Sequence, residues 1–179
     1  MIKKISIAAF FFLLTMQANA QMVAVKTDVV KDAFMIPNIG VDIVLGDKHT
    51  LGADLFGTKK IYGNVAEIIG VTPRYRYWLS GRPFSRLFVG ANAQFANYTI
   101  NWEDKSYHGN SFAVGLALGY SINLSKRFNI ELAGGTDLLY YNHKQYTLGD
   151  IYTNYGEKPN AAGVILCPRL EISVMYLLR

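Results

Sequence analysis

Three histidines and a single cysteine are the side chains of this 179-residue sequence most easily recruited for chemistry at neutral pH. His108 stands beside Asp104, Ser106 and Ser111, the residue types from which a general base and an activated hydroxyl are assembled. His143 follows Tyr140 and Tyr141. Closeness in sequence is a weak signal, and the plain expectation for both histidines is a solvated loop. His49 belongs at the opposite end of the molecule from the other two, so the three do not compose a metal site. Cys167, next to Pro168, reads as a small packed residue, and one cysteine excludes an internal disulfide framework. No glycine motif cradles a phosphate. The expectation is a non-enzyme with no cofactor and no metal.

A second set of residues stands out by pattern. Lys26, Arg74, Arg76 and Arg169 share one parity of a two-residue alternation with Asp28, Asp42, Asp54, Glu131, Asp137 and Glu171. If that face is enclosed, isolated charges on it would cost several kcal/mol each, so they should pair. Arginine suits this because its planar fork meets a carboxylate with two bonds. The expected chemistry is a plug of salt bridges, not a wide pore.

The elements that must carry these charges follow from the same alternation. From Phe128 to Tyr140, the residues Phe128, Ile130, Leu132, Leu138 and Tyr140 fall on one face; Asn129, Glu131, Ala133, Gly135 and Asp137 fall on the other. A helix would scatter them, whereas a strand separates them. The test selects seven further segments: 23–30, 39–45, 51–56, 71–79, 87–95, 112–124 and 170–178. Strands two and three, four and five, and six and seven are joined by short turns. The connections 58–69, 97–111 and 141–163 are longer and are expected as loops. Short turns at one end and long loops at the other is the asymmetry of a transmembrane barrel. Pro73 and Pro168 are then expected near the starts of strands four and eight, at the loop-side rim, where a missing amide is tolerated.

Composition is consistent with this architecture. The chain is 51% hydrophobic and 17% charged, which excludes disorder. Residues 1–20 carry Lys3 and Lys4, an apolar run, and Ala18-Asn19-Ala20, the pattern of a signal peptide cleaved after Ala20. Its removal lowers the formal charge of +5 by two, leaving no electrostatic case for nucleic acid. The remainder has no apolar run of about 18 residues, so no transmembrane helix is expected there.

Period alone does not say which face points inward, but volume does. Eight strands leave an interior just wide enough for side chains. The charged face is rich in Gly, Ala, Ser and Asn, and the apolar face is bulky, with Phe128, Tyr176 and Tyr77 towards the turns and Phe95, Phe112 and Tyr140 towards the loops. The small face fits the lumen and the bulky face fits lipid. The expected fold is therefore all-β: an eight-stranded antiparallel up-and-down transmembrane β-barrel over residues 21–179, following the signal peptide, in the outer membrane. A soluble sheet with a wetted polar face would alternate in the same way.

The segment Ala24–Ile43, AVKTDVVKDAFMIPNIGVDI, resembles the opening of a small Bacteroidetes family, domain of unknown function three-five-seven-five. The shared pattern is A-x-K-T-N/D, then D-A, then P-N-x-G-x-D/E; PRYRYWL (Pro73–Leu79) and the strand after Pro168 also fit. Asp28 stands where Asn is commoner, and Arg179 ends the chain in place of an aromatic residue. The resemblance implies a small outer-membrane barrel, and a role in assembling fimbriae or other surface structures. It brings no catalytic residue. The leading expectation is a non-enzymatic outer-membrane barrel in contact with outer-membrane lipid, with a surface or fimbrial protein partner held through loops 97–110 and 141–163. The alternatives are a lipid-modifying enzyme working at the outer rim through the His108 region, and a soluble secreted barrel that binds a small ligand.

Overall fold

In the computed structural model the described residues are 22–61, 64–102, 105–147 and 161–178. The proposed signal peptide, with its cleavage site at Ala20, lies outside them. The elements are β1 (Val23–Asp28), α1 (Val29–Ala33), β2 (Asn38–Val44), β3 (His49–Ile61), β4 (Asn64–Trp78), β5 (Arg86–Trp102), β6 (Lys105–Asn123), β7 (Phe128–Thr147) and β8 (Ala161–Leu178). Each strand pairs antiparallel with the next, and β8 returns to β1, closing an eight-stranded all-β barrel.

Alternation sets which side chains enter the lumen. Leu116, Leu132 and Leu170 are exposed on the outer wall, while Arg74, Arg76 and Glu131 are buried within it. At one end the strands are joined by tight turns. Gly46 and Gly81 have φ of +91° and +73° there, a backbone conformation that a side chain would strain. The first and last strands meet at the same end, with Val23 opposite Leu178.

The structure corrects three expectations. The strand expected over 23–30 stops at Asp28, because the Asp28 carboxylate accepts a hydrogen bond from the Val30 amide (3.0 Å) and caps α1. The long connections are mostly strand. Residues 97–102 and 105–111 continue β5 and β6, and 141–147 and 161–163 continue β7 and β8. Thus the described residues of the segment 97–110 form a hairpin wall, not a loop; 103–104 of that segment and 148–160 of 141–163 lie outside the described residues. The prolines do not sit at strand starts either. Pro73 lies well inside β4: it pairs in register with Ala53, but the β4–β5 ladder is interrupted between Val71↔Phe95 and Arg74↔Asn92. Pro168 lies within β8, opposite Thr136.

Pro168 is accommodated because the barrel wall is incomplete at that height. β1 has six residues and pairs only with Ser173–Leu178, so β8 from Ala161 to Ile172 has no strand on its β1 side. β2 likewise pairs with β3 no further than Phe56. An unpaired edge is where a proline is at home. In place of the missing strand, α1 packs against β8.

Candidate functional site

The lumen is built in three layers. The layer at the turn end is apolar: Trp78, Phe84, Phe88, Met175 and Leu177 are buried together. Trp78 lies edge-on to Phe84 with ring centroids 5.7 Å apart and packs on Phe88 at 4.8 Å. Its indole N–H donates to Thr50 Oγ1 (3.1 Å), which satisfies the one polar group it brings inside. Below these rings Asn129 donates to the Phe84 carbonyl (2.7 Å).

The charged layer sits above. Arg74 makes two bonds to Asp42, from Nε (2.9 Å) and Nη2 (3.0 Å), and a further one to Asp54. Arg76 donates to Glu131 (2.9 Å) and lies 3.5 Å from Asp42 and 3.4 Å from Glu171. Lys26 pairs with Glu171 and approaches Glu131 at 4.0 Å. Arg169 bridges Asp137 (3.4 Å) and Glu171 (3.2 Å). Nine of the ten residues expected inside therefore form one connected network. Asp28 is the exception. It is buried, but it caps α1 and pairs with Lys31 at 3.8 Å.

Glycine makes this network possible by leaving room for it. Gly52 on β3 lies between Asp42 on β2 and Arg74 on β4, and the two charged side chains meet over its bare backbone. Gly115 on β6 plays the same part between Asn92 and Asp137, which are joined at 3.1 Å. A β-carbon at either position would collide with the aspartate carboxylate. This layer holds a cavity of about 20 Å³ beside Arg74, Arg76 and Glu171. That is room for about one water. Asp54 Oδ1 and Glu131 Oε1 are the buried side-chain atoms without a hydrogen-bond partner among the described residues.

The third layer was not anticipated from sequence. Above the charges the lumen widens into a chamber of about 650 Å³, lined by Phe56, Ile68, Tyr98, Leu139, Tyr141 and Ile165 among others. Lys31 of α1 also lines it, its ammonium 5.1 Å from the centre of the Phe56 ring.

The candidate chemical residues are not brought together. His108 faces outward, and its Nδ1 is 2.7 Å from Thr99 Oγ1 on the neighbouring strand. Ser106 donates instead to Asn101 (2.7 Å), and Asp104 lies outside the described residues. His143 is not in a loop but in β7, pointing into the chamber; it stacks on Tyr141 and is 3.3 Å from the Tyr98 hydroxyl. His49 sits at the turn end against Tyr75 (2.5 Å) and Tyr77. Cys167 is half-buried inside β8, opposite Asp137, and not at a rim. Among the described residues no group of three or more His, Cys, Asp or Glu could hold a metal ion.

A closed eight-stranded antiparallel barrel, its lumen blocked by a salt-bridge network and its bulky side chains outside, defines the class of this protein. The family model described as "Protein of unknown function (DUF3575)" matches residues 6–178, and the chain belongs to that family. Neither a curated protein nor a solved structure matches it. The motif residues that carry the family pattern cluster around α1 and the charged layer. Asn38 donates to the Asp28 carbonyl (3.0 Å) and to Asp32 (3.0 Å), fixing the return of the chain into β2, while Lys26 and Asp42 enter the network.

Proposed function

We propose that the protein is a non-enzymatic outer-membrane barrel that is sealed to solutes and carries tall hairpins above the membrane as a docking surface for a surface or fimbrial protein. The reading is carried by the inversion of the wall: Leu116 is 69% exposed and Glu131 only 1%. A water-soluble barrel exposing Leu51, Leu55, Leu116, Leu118, Leu166 and Leu170 would present an apolar surface far larger than monomeric soluble proteins tolerate. On β6 the outward apolar run from Phe112 to Ile122 covers roughly 34 Å along the strand, or about 26 Å at a tilt of ~40°, which matches the lipid-facing band of such barrels.

The hairpins support the second half of the reading. Beyond the Phe95↔Phe112 pair, β5 and β6 stay paired for seven more rungs to Trp102↔Lys105. That is roughly 23 Å of additional height along the strands. The outward residues over that stretch are polar: Asn97, Thr99 and Asn101 on β5, His108 and Asn110 on β6. Rigid strands position a recognition surface better than a long loop does, because less freedom is lost on binding.

The test has three parts. The mature chain should fractionate with outer membranes, migrate faster on a gel before boiling than after, and give no conductance steps in a planar bilayer. A product found entirely in the soluble fraction would refute the membrane assignment. Stable conductance would refute the sealed lumen. Protease or biotin reagents applied to whole cells should reach the β5–β6 hairpin.

A further inference from the structure

We propose that the chamber above the charged layer is a binding site for a single hydrocarbon chain, supplied by a free fatty acid or by the acyl tail of a membrane lipid. The proposal rests on the membrane reading for the lipid source, and on the chamber's own chemistry for the ligand class.

The first observation is the reversal of polarity along the strands. Within the charged layer the inward residues are ionised, but from that level upward they become Phe56, Ile68, Ala96, Tyr98, Leu139 and Tyr141. A hairpin that only had to stand in water would have no reason to line its inside with carbon. Several of the polar groups that line the chamber have partners of their own, Gln94 accepting from Thr72 among them (3.4 Å). The Tyr98 hydroxyl meets His143 at 3.3 Å, and Lys31 is shared between Asp28 and the Phe56 ring. What faces the cavity is therefore mainly apolar surface. At about 650 Å³ it is within the range of small-ligand sites.

The second observation is the chamber's depth. Its inward residues alternate with outward ones that are still apolar: Ile68 beside Ile69, Leu139 between Leu138 and Tyr140, Ile165 between Val164 and Leu166. The floor of the chamber, at Leu139 and Ile165, thus lies directly behind the upper part of the exposed apolar band, where acyl chains would press on the outer wall, while Tyr98, Ile100 and Tyr107 line it above the Phe95↔Phe112 pair.

The third observation is a way in. β8 from Ala161 to Ile172 has no strand on its β1 side, and β2 ends its pairing with β3 at Phe56. Ile165 lines the chamber from that open edge and is 46% exposed. The gap is bordered by α1 and by Phe34 and Met35, both apolar and more than half exposed. A chain, unlike a bulky ligand, passes through a gap one strand pair wide. Lys31, at the chamber's edge on α1, is a cation that a carboxylate or phosphate head group would share with Asp28, from which it stands 3.8 Å away.

The experiment reconstitutes the full mature chain in nanodiscs of saturated phosphatidylcholine. One arm adds a fatty acid bearing a terminal diazirine; the other builds the disc with phosphatidylcholine carrying the same diazirine at its tail. After irradiation, labelled residues are mapped by peptide mass spectrometry. The proposal expects labels on inward Tyr98, Tyr107, Leu139 and Tyr141, in addition to outward Phe112 and Tyr140. Filling the chamber with Leu139→Trp should reduce the inward labels about tenfold and leave the outward ones unchanged. Ala96→Trp serves if that variant does not fold, as judged by heat-modifiable migration. Inward labelling in the first arm alone identifies free fatty acid as the ligand, and inward labelling in the second identifies a lipid tail. Labels confined to outward residues in both arms, or inward labels indifferent to filling, would overturn the proposal. If the chain does not enter the discs, the membrane reading fails instead, and the fatty-acid arm run on the free chain still decides the chamber.

Discussion

Replacing Arg76 with leucine tests whether the charged layer acts as one network. Arg76 donates to Glu131 at 2.9 Å, approaches Asp42 and Glu171 at 3.5 and 3.4 Å, and lies over the Phe88 ring at 4.7 Å. Its removal does not affect these partners equally. Asp42 keeps both bonds from Arg74, and Glu171 keeps Lys26 and Arg169. Glu131 keeps only Lys26 at 4.0 Å, and its other oxygen already lacks a partner. The cost should approach that of leaving one buried carboxylate uncompensated, about 3–5 kcal/mol. The structure further predicts which second change repairs the damage. Arg76→Leu/Glu131→Leu removes one charge of each sign and should return to within about 1–2 kcal/mol of the parent. Arg76→Leu/Asp42→Leu should not, because Arg74 then loses the partner to which it makes two bonds. The assay is urea unfolding of the refolded barrel in lipid vesicles, followed by tryptophan fluorescence, with the slope checked for constancy across variants. A loss below about 1 kcal/mol for the single variant, or equal rescue by the two double variants, would refute the reasoning.

Three further outcomes follow from other parts of the structure. Gly115→Ala should destabilise by about 1–3 kcal/mol, because its methyl would collide with the Asp137 carboxylate and part Asn92 from it. Gly134→Ala on the outer face, where the nearest atom is 3.9 Å away, should stay within about 0.5 kcal/mol, and the same unfolding assay compares them. Asp28→Ala should cost about 1 kcal/mol by uncapping α1, with Asp28→Asn restoring most of it; hydrogen exchange at the Val30 amide reports the cap directly. His108→Ala should leave the lipid A mass profile of cells unchanged and stability within about 1 kcal/mol, since Thr99 is its hydrogen-bond partner; an altered profile would revive the enzyme alternative.

The part of the fold legible in the sequence is the part where one polarity rule holds. Between Phe112 and Asn123, or Phe128 and Ala133, every second residue is bulky and apolar and the rest are small or polar, so the strand and its face are both readable. The rule fails higher up because the two sides exchange character. On β5, Phe95 is outward and apolar, but two residues on Asn97 is outward and polar, while Tyr98 and Ile100 turn inward. At the crossover both parities are apolar, as in Leu138-Leu139-Tyr140-Tyr141, and above it the alternation continues with its sign reversed. Read with a fixed rule, such a stretch looks like a mixed loop, although 97–102, 105–111, 141–147 and 161–163 are strand. The charged network was readable because charge is rare in this chain and falls on one parity. The aromatic floor was not, since Trp78 and Phe88 share that parity with Arg74 and Arg76. Nor was α1, whose one signal, Asp28 before a five-residue helix, is outweighed by the β-branched Val29 and Val30.

The shortness of β1 and β2 and the charge of the layer they reach belong to one physical arrangement. A barrel closed along its whole height has no unpaired backbone to satisfy, but also no side access. Closure is complete at Lys26, which pairs in register with both Gly40 and Met175, whereas its network partners Glu171 and Arg169 lie on β8 just beyond the last β1 pair; a strand missing at the level of Lys26 and Asp42 would wet their ion pairs and weaken them. Above that level the charges that remain are the more accessible Arg169–Asp137 pair and the Asp28–Lys31 pair at α1, and the wall is opened at the place where Pro168 could not have served a ladder. The cost of the exposed β8 edge is limited by α1 packing against it, held in turn by the Asp28 cap and by Asn38. If α1 covers that edge, loosening it should expose β8 amides between Ala161 and Ile172 to exchange while leaving Ser173–Leu178 protected. Exchange of both segments together in Asp28→Ala would mean that closure by β1 depends on α1, and the division of the wall into a sealed lower part and an open upper part would be wrong.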